Sequence, residues 1–170
     1  EKPYGAVPGA VPPTQYQSVW QPTELLAAVA AWTERVQLGT SVLVAGNHWP
    51  VQLAARLATL DQLCHGRLLV GLGVGWSKEE HTASGVDFHT RGKRIEDFVG
   101  ALEACWGPDP VRYSGPFFEI PECQVNPKPV VRADGRTRPP LLSGMWSKVG
   151  AARTVAMYRS EEHTSELQSP

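Results

Sequence analysis

Three glycines alternate along one short stretch, Gly71-Leu-Gly73-Val-Gly75-Trp76. Alternation strips one face of a strand of side chains, so a flat ligand could lie directly against the backbone. The same pattern also serves close packing between a strand and a helix. A dinucleotide fingerprint needs GxGxxG opening a helix. Here the spacing is GxGxG, and Trp76-Ser77-Lys78 is not an apolar helix start. Thr40-Ser41 could offer hydroxyls to the polar edge of a ring, or be ordinary strand residues. His48-Trp49 follows in a loop, where an imidazole could move a proton or orient a substrate, or simply face water.

Other chemistries find no support. Cys64-His65 lies just before a strand, the end of a β/α unit away from reaction centres. His81 and His89 lie near Glu79, Glu80 and Asp87, but in neither HExxH nor EF-hand spacing, so no metal is expected. No GxSxG elbow and no P-loop occurs. Arg132, Arg136 and Arg138 read as a solvated loop.

The elements that must position these residues alternate. Pro3, Pro8, Pro12, Pro13 and Pro22 make residues 1–22 irregular. Leu25, Leu26, Val29, Trp32 and Val36 recur at helical spacing over 23–35. Residues 37–44 form a strand whose Val42-Leu43-Val44 run suits burial on both faces. Pro50 opens a helix with a stripe of Val51, Leu53, Ala54, Leu57 and Leu60, and Cys64-His65-Gly66 closes it. Residues 68–74 form a second strand. A helix so placed between two strands implies parallel pairing through a right-handed crossover.

Residues 75–90 read as irregular. Thr90 is a candidate N-cap for a helix bearing Ile95, Phe98, Val99, Leu102 and Trp106 on one face. Val111–Ser114 and Phe117–Ile120, split by Gly115-Pro116, suggest an inserted hairpin. A long loop precedes a third parallel strand over 140–144, and a last helix begins at Ser147. The class is therefore α/β, as a (β/α)8 barrel or an open doubly wound sheet.

Composition narrows the partners. The 170 residues carry 16 basic and 17 acidic side chains, a net charge of −1, which gives no reason to expect nucleic acid or an anionic membrane. No apolar run approaches the ~18 residues of a membrane span. Three widely spaced cysteines read as free thiols of a reducing compartment, so a cytoplasmic location is expected. Residues 159–170 resemble a translated sequencing adapter and are expected to be non-native. The natural protein is expected to extend beyond both ends, so that residues 1–158 are part of one domain.

The ordered series of motifs resembles the bacterial luciferase-like monooxygenase family, with closest likeness to its deazaflavin (coenzyme F-420) branch. It runs through Trp32-Thr-Glu-Arg-Val-Gln-Leu-Gly-Thr-Ser-Val-Leu-Val44, Leu57-Ala-Thr-Leu-Asp61 and Gly66-Arg-Leu-Leu-Val-Gly-Leu-Gly-Val-Gly-Trp76. It continues in Arg91-Gly-Lys-Arg94, Tyr113-Ser-Gly-Pro-Phe117, Asn126-Pro-Lys-Pro129 and Arg138-Pro-Pro-Leu-Leu-Ser-Gly144. The resemblance implies a (β/α)8 TIM barrel, of which this chain holds about strands three to five with the inserted hairpin. It implies a cofactor, F-420 or reduced FMN, at the C-terminal strand ends, and a small-molecule substrate. A homodimer of the parent is a further expectation.

Carried over by position, Thr40, Ser41 and Val42 fall where the family places a backbone bulge against the ring, often with a non-proline cis peptide. Gly73 and Gly75 fall beside the ring, and Ser143 and Gly144 by the cofactor's side chain. Trp76 stands where some relatives have a catalytic Glu. That argues against their sugar-phosphate dehydrogenase chemistry and suits an aromatic wall instead. His48 and Trp49 are candidates for the substrate pocket. The catalytic acid or base is expected outside residues 1–158. The rival reading is an open-sheet nucleotide-binding module, and a third is a gene fragment without activity of its own.

Overall fold

The computed structural model describes residues 18–144. The expected helix from Ser147 and the adapter-like tail lie outside them. The elements run α1 (Pro22–Trp32), β1 (Leu38–Gly39), β2 (Leu43–Val44), α2 (Pro50–Leu63), β3 (Leu68–Gly73), α3 (Lys78–Ala83), α4 (Arg91–Trp106), β4 (Val111–Ser114), β5 (Glu119–Cys123) and β6 (Leu141–Ser143).

All pairing to β3 is parallel. β1 and β2 lie along one edge, and β6 pairs with β3 as well. Leu72 stands beside both Leu43 and Ser143, so the two neighbours occupy opposite edges. Spatial order thus follows chain order, with no reversal among the described strands. β4 and β5 form a separate antiparallel hairpin, its second strand two residues later than the sequence suggests.

Strand alternation separates two faces. Leu38, Leu43, Leu68, Val70, Leu72 and Leu141 point into a core built with α2 and α4. Each such buried aliphatic side chain contributes about 1.5–3 kcal/mol. Helix α2 brings Leu53, Ala54, Leu57 and Leu60, and α4 brings Ile95, Phe98, Val99, Leu102 and Trp106. Trp106 Nε1 donates to the Ala54 carbonyl at 3.1 Å, which locks the two helices together. The other sheet face carries Gly71, Gly73 and Leu142, and Leu142 is 52% exposed. In the first strand line Leu43 is buried while Gly39 and Val42 are exposed, so the expectation of a first strand buried on both faces is corrected.

Several local readings also change. The helix α1 ends at Trp32; of the expected stripe Leu26 and Val29 pack, partly buried, against the core, while Leu25 and Trp32 are exposed and Val36 lies past the helix. The polar stretch 75–90 contains α3, whose N-cap Ser77 accepts the Glu80 N–H at 3.1 Å. The Ser77-x-x-Glu80 spacing is a capping-box signature that the sequence carried. Thr90 occupies the N-cap position of α4 without capping it; its hydroxyl donates to the Asp87 carbonyl at 2.7 Å.

The arginine loop is not simply solvated. Arg132 pairs with fully buried Asp61 at 2.8 Å, and Asp61 also accepts the Val130 N–H at 2.9 Å. Arg138 reaches Glu103 at 3.4 Å, while the Arg136–Asp134 pair stays exposed. The Asp61 contacts anchor the long loop at the C-terminal end of α2, and the Glu103 contact ties it to α4.

Candidate functional site at the strand ends

The first strand line is broken. From Leu38 to Leu43 the chain advances five residues while its partner advances four, from Leu68 to Leu72. The extra residue is taken up by a bulge over Thr40–Val42, which contains a cis peptide between Ser41 and Val42. Ladder bonding lost there is replaced by a side chain. Thr40 Oγ1 donates to the Gly71 carbonyl and accepts the Gly71 N–H, both at 2.9 Å. Thr40 is buried, so its hydroxyl serves the sheet and does not face a ligand. The reading of Thr40 as a ring-edge donor is corrected to that extent.

The alternating glycines are bare because neighbouring residues stand where their side chains would be. A Cβ on Gly71 would stand 2.1 Å from the Thr40 carbonyl oxygen. A Cβ on Gly73 would meet Val42 Cγ2 at 2.6 Å, and one on Gly144 would meet Val42 Cγ1 at 2.9 Å. The space that the glycines leave is filled by the bulge itself. What the site offers a ligand is the outer surface of that bulge: Ser41, exposed, and Val42, 40% exposed. Thr40, Ser41, Val42, Gly73, Ser143 and Gly144 thus come together at the C-terminal ends of three parallel strand lines, where β/α folds carry their chemistry.

Gly75 and Trp76 continue from the same end of β3. Gly75 has φ +74, the left-handed region that favours glycine. A Cβ there would meet Val44 Cγ1 and His81 Cε1, each at 2.7 Å. Trp76 is 48% exposed. Beneath this turn lies His81, fully buried and not among the residues the sequence reading assigned to the site.

His48 and Trp49 are not brought into this group. The Trp49 ring packs edge-on against Phe118 of the hairpin, centroids 5.3 Å apart. His48 lies in the electrostatic reach of Arg56 and Glu24 on the helical layer. Burial holds its imidazole below the ordinary value; Arg56 acts in the same direction and Glu24 opposes it. Arg94, whose guanidinium lies 4.5 Å from the Phe118 ring centroid, completes an aromatic and cationic cluster there.

The three cysteines are free, and burial pushes the Cys105 thiol up to about 11. That leaves it protonated and unreactive at neutral pH. No group of three or more metal-ligating side chains occurs among the described residues, and no described helix is long and apolar enough to cross a membrane.

Parallel β/α units bearing an exposed bulge at their C-terminal ends define an α/β protein of the kind that builds sites at strand termini. The family model described as luciferase-like monooxygenase matches residues 10–157, and the chain belongs to that family. It is 35% identical over 121 residues to an uncharacterised protein of Mycobacterium tuberculosis, covering 71% of this chain and 43% of that one. It is 33% identical over 145 residues to an FMNH(2)-dependent dimethylsulfone monooxygenase of Pseudomonas putida, covering 84% and 37%. It is 32% identical over 114 residues to an F-420-dependent glucose-6-phosphate dehydrogenase of Amycolatopsis mediterranei, covering 65% and 33%. The chain therefore spans less than half the length of these curated relatives.

Among solved structures, the monooxygenase RslO1 of Streptomyces bottropensis superposes with a TM-score of 0.67 at 24% identity, covering 88% of this chain and 51% of that one. At that identity the likeness bears on the fold.

Proposed function

We propose that the protein to which this chain belongs is an oxidoreductase working through FMN or deazaflavin F-420 on a small organic substrate. The observation that carries this reading is the Thr40–Val42 bulge, seated over Gly71, Gly73 and Gly144 and presenting Ser41 and Val42 outward. Family membership supports it, because relatives named for each cofactor are similar to this chain.

The residues present fit a flat ring system. Val42 and Trp76 offer partly exposed apolar and aromatic surface, and a rigid glycine-backed bulge holds the first of these. Ser41 and Val42 would line one side of the ring, Trp76 would wall another, and Ser143 and Gly144 would border the cofactor's side chain. Thr40, Gly73 and Gly75 would act by shaping the backbone beneath. Bound there, the cofactor supplies hydride or activates oxygen, and the protein's part is orientation and exclusion of water. Trp76, standing where some relatives carry a catalytic Glu, favours a substrate other than a sugar phosphate.

The three parallel strand lines are read as consecutive strands of a (β/α)8 barrel, with the exposed Leu142 face turned toward its interior. Alternate strands fill a closed barrel with side-chain layers. Three strand lines leave those layers incomplete, so the 170-residue chain alone is expected to be inactive and to lack a cooperative monomeric melt.

The test is titration of the complete gene product with FMN and with F-420, each oxidised and reduced, followed by absorbance and fluorescence. Saturable perturbation of one chromophore supports the reading and selects the cofactor. Perturbation of neither would sink it.

A further inference from the structure

One imidazole lies between both ends of the Gly75-Trp76 turn; a neutral ring donates from a single nitrogen, taken here as Nε2. The His81 Nε2 lies 3.0 Å from the carbonyl oxygen of Val74, and its Nδ1 lies 2.8 Å from that of Ser77. Those two carbonyls flank Gly75 and Trp76 on either side. The second contact is local to α3, from a residue four positions earlier. The first crosses from the helix to the end of β3, and it is the polar link from His81 to the strand.

The ring is held on its other sides by packing. A Cβ on Gly46 would lie 3.1 Å from His81 Nε2, so the short turn after β2 closes over the imidazole. Phe88 meets it edge-on at 5.2 Å. Gly75 approaches so closely that no other residue fits there without displacing His81 or Val44. Thus α3, the Ala45–Asn47 turn and the end of β3 converge on one fully buried polar side chain, packed under the turn that carries half-exposed Trp76.

We infer that His81 is a positioning residue for cofactor binding: through the Val74 carbonyl it fixes the Gly75-Trp76 turn, and so holds the Trp76 indole as a wall against the bound ring. This rests on the proposed function, since it takes Trp76 to border the cofactor. Neither capping α3 nor filling the core requires a contact to Val74. An apolar ring could fill the volume, and Ser77 already caps the helix. The Val74 contact is the part of the arrangement that acts on the site, because a displacement of about 1 Å in a positioning group is costly to a bound complex.

The test uses two amides that each place a donor at one nitrogen position of the imidazole. In His81→Asn the amide nitrogen takes the place of Nδ1 and can reach only Ser77. In His81→Gln it takes the place of Nε2 and can reach Val74. The complete gene product, both variants and Trp76→Phe are titrated with FMN and F-420. Quenching of the bound cofactor's fluorescence by tryptophan reports the position of the wall.

The expected result is quenching in the wild type, its loss in Trp76→Phe, and weakened quenching with about tenfold poorer affinity in His81→Asn. His81→Gln restores both. Equal affinity and quenching in wild type and His81→Asn would overturn the inference while leaving the function standing. So would equal failure of the Asn and Gln variants, which would mark His81 as merely structural. Unchanged quenching in Trp76→Phe would overturn it too. If the wild type binds neither cofactor, the proposed function falls first and this inference with it.

Discussion

The hydroxyl of Thr40 satisfies both backbone groups of a single residue, Gly71, donating to its carbonyl and accepting its N–H at 2.9 Å each. A side chain here replaces the strand ladder where the bulge interrupts it. Thr40→Val keeps the shape and removes both bonds, leaving buried polar groups of Gly71 unpaired. The expected loss is about 2–4 kcal/mol of unfolding free energy, against less than about 1 for Thr40→Ser. Denaturant titration of the complete gene product, with the two variants side by side, checks this. Equal stability of the Val and Ser forms would contradict the stitch.

The glycines of β3 are not equivalent. At Gly71 an added methyl would meet backbone, the Thr40 carbonyl oxygen at 2.1 Å, which cannot move without undoing the bulge. At Gly73 it would meet a methyl of Val42 at 2.6 Å, and a valine side chain can rotate away. Gly71→Ala is expected to destabilise the protein severely, by more than about 3 kcal/mol, and Gly73→Ala by about 1–3. The Gly73 variant should also lose affinity for the cofactor, because the rotating Val42 is the surface proposed to line the ring. Thermal melts and the cofactor titration read the two effects separately.

Asp61 and Arg132 join residues far apart in sequence, the end of α2 and the loop before β6. Asp61 is fully buried, and its loss would strand a largely buried guanidinium and the Val130 N–H. Asp61→Ala is expected to cost about 3–5 kcal/mol. Replacing both partners by leucine and methionine should recover part of that, since no charge is then left unpaired although the Val130 N–H still is. Unfolding of the single and double variants forms the check.

His48 makes stability depend on pH in a definite direction. Its imidazole sits below its ordinary value because burial disfavours the charged form. The unfolded chain therefore binds the proton more readily than the native one. The stabilisation is complete above the ordinary imidazole range and is lost as the pH falls through the lower native value. Unfolding midpoints should decline on acidification below about pH 6.5, ahead of the carboxylates. His48→Gln should flatten that decline. An unchanged slope in the variant would assign the acid sensitivity to other groups.

The sequence by itself determined the α/β alternation, and it did so through periodicity. Leu53, Leu57 and Leu60, or Ile95, Phe98 and Leu102, repeat with the helical period, and these faces are buried as their spacing implies. Pro50 and His65-Gly66 mark the ends of α2 because proline and left-handed residues act within one or two positions of themselves. The motif series also carried the family, which the match over residues 10–157 shows.

Only the tertiary structure decided what the glycines are for. Their alternation is local, but the space at Gly71 and Gly73 is taken by Thr40 and Val42, some thirty residues earlier and brought there by a one-residue slip in register, and that at Gly75 by Val44 and His81. It also decided that Thr40 serves Gly71 and that Arg132 serves Asp61. His81 was weighed only as a metal ligand in the sequence, yet it lies buried under the Gly75-Trp76 turn. Hydrogen bonds and steric contacts act within a few ångströms. Which residues share those ångströms is settled by strand register and helix docking, and the pattern along the chain does not encode either one locally.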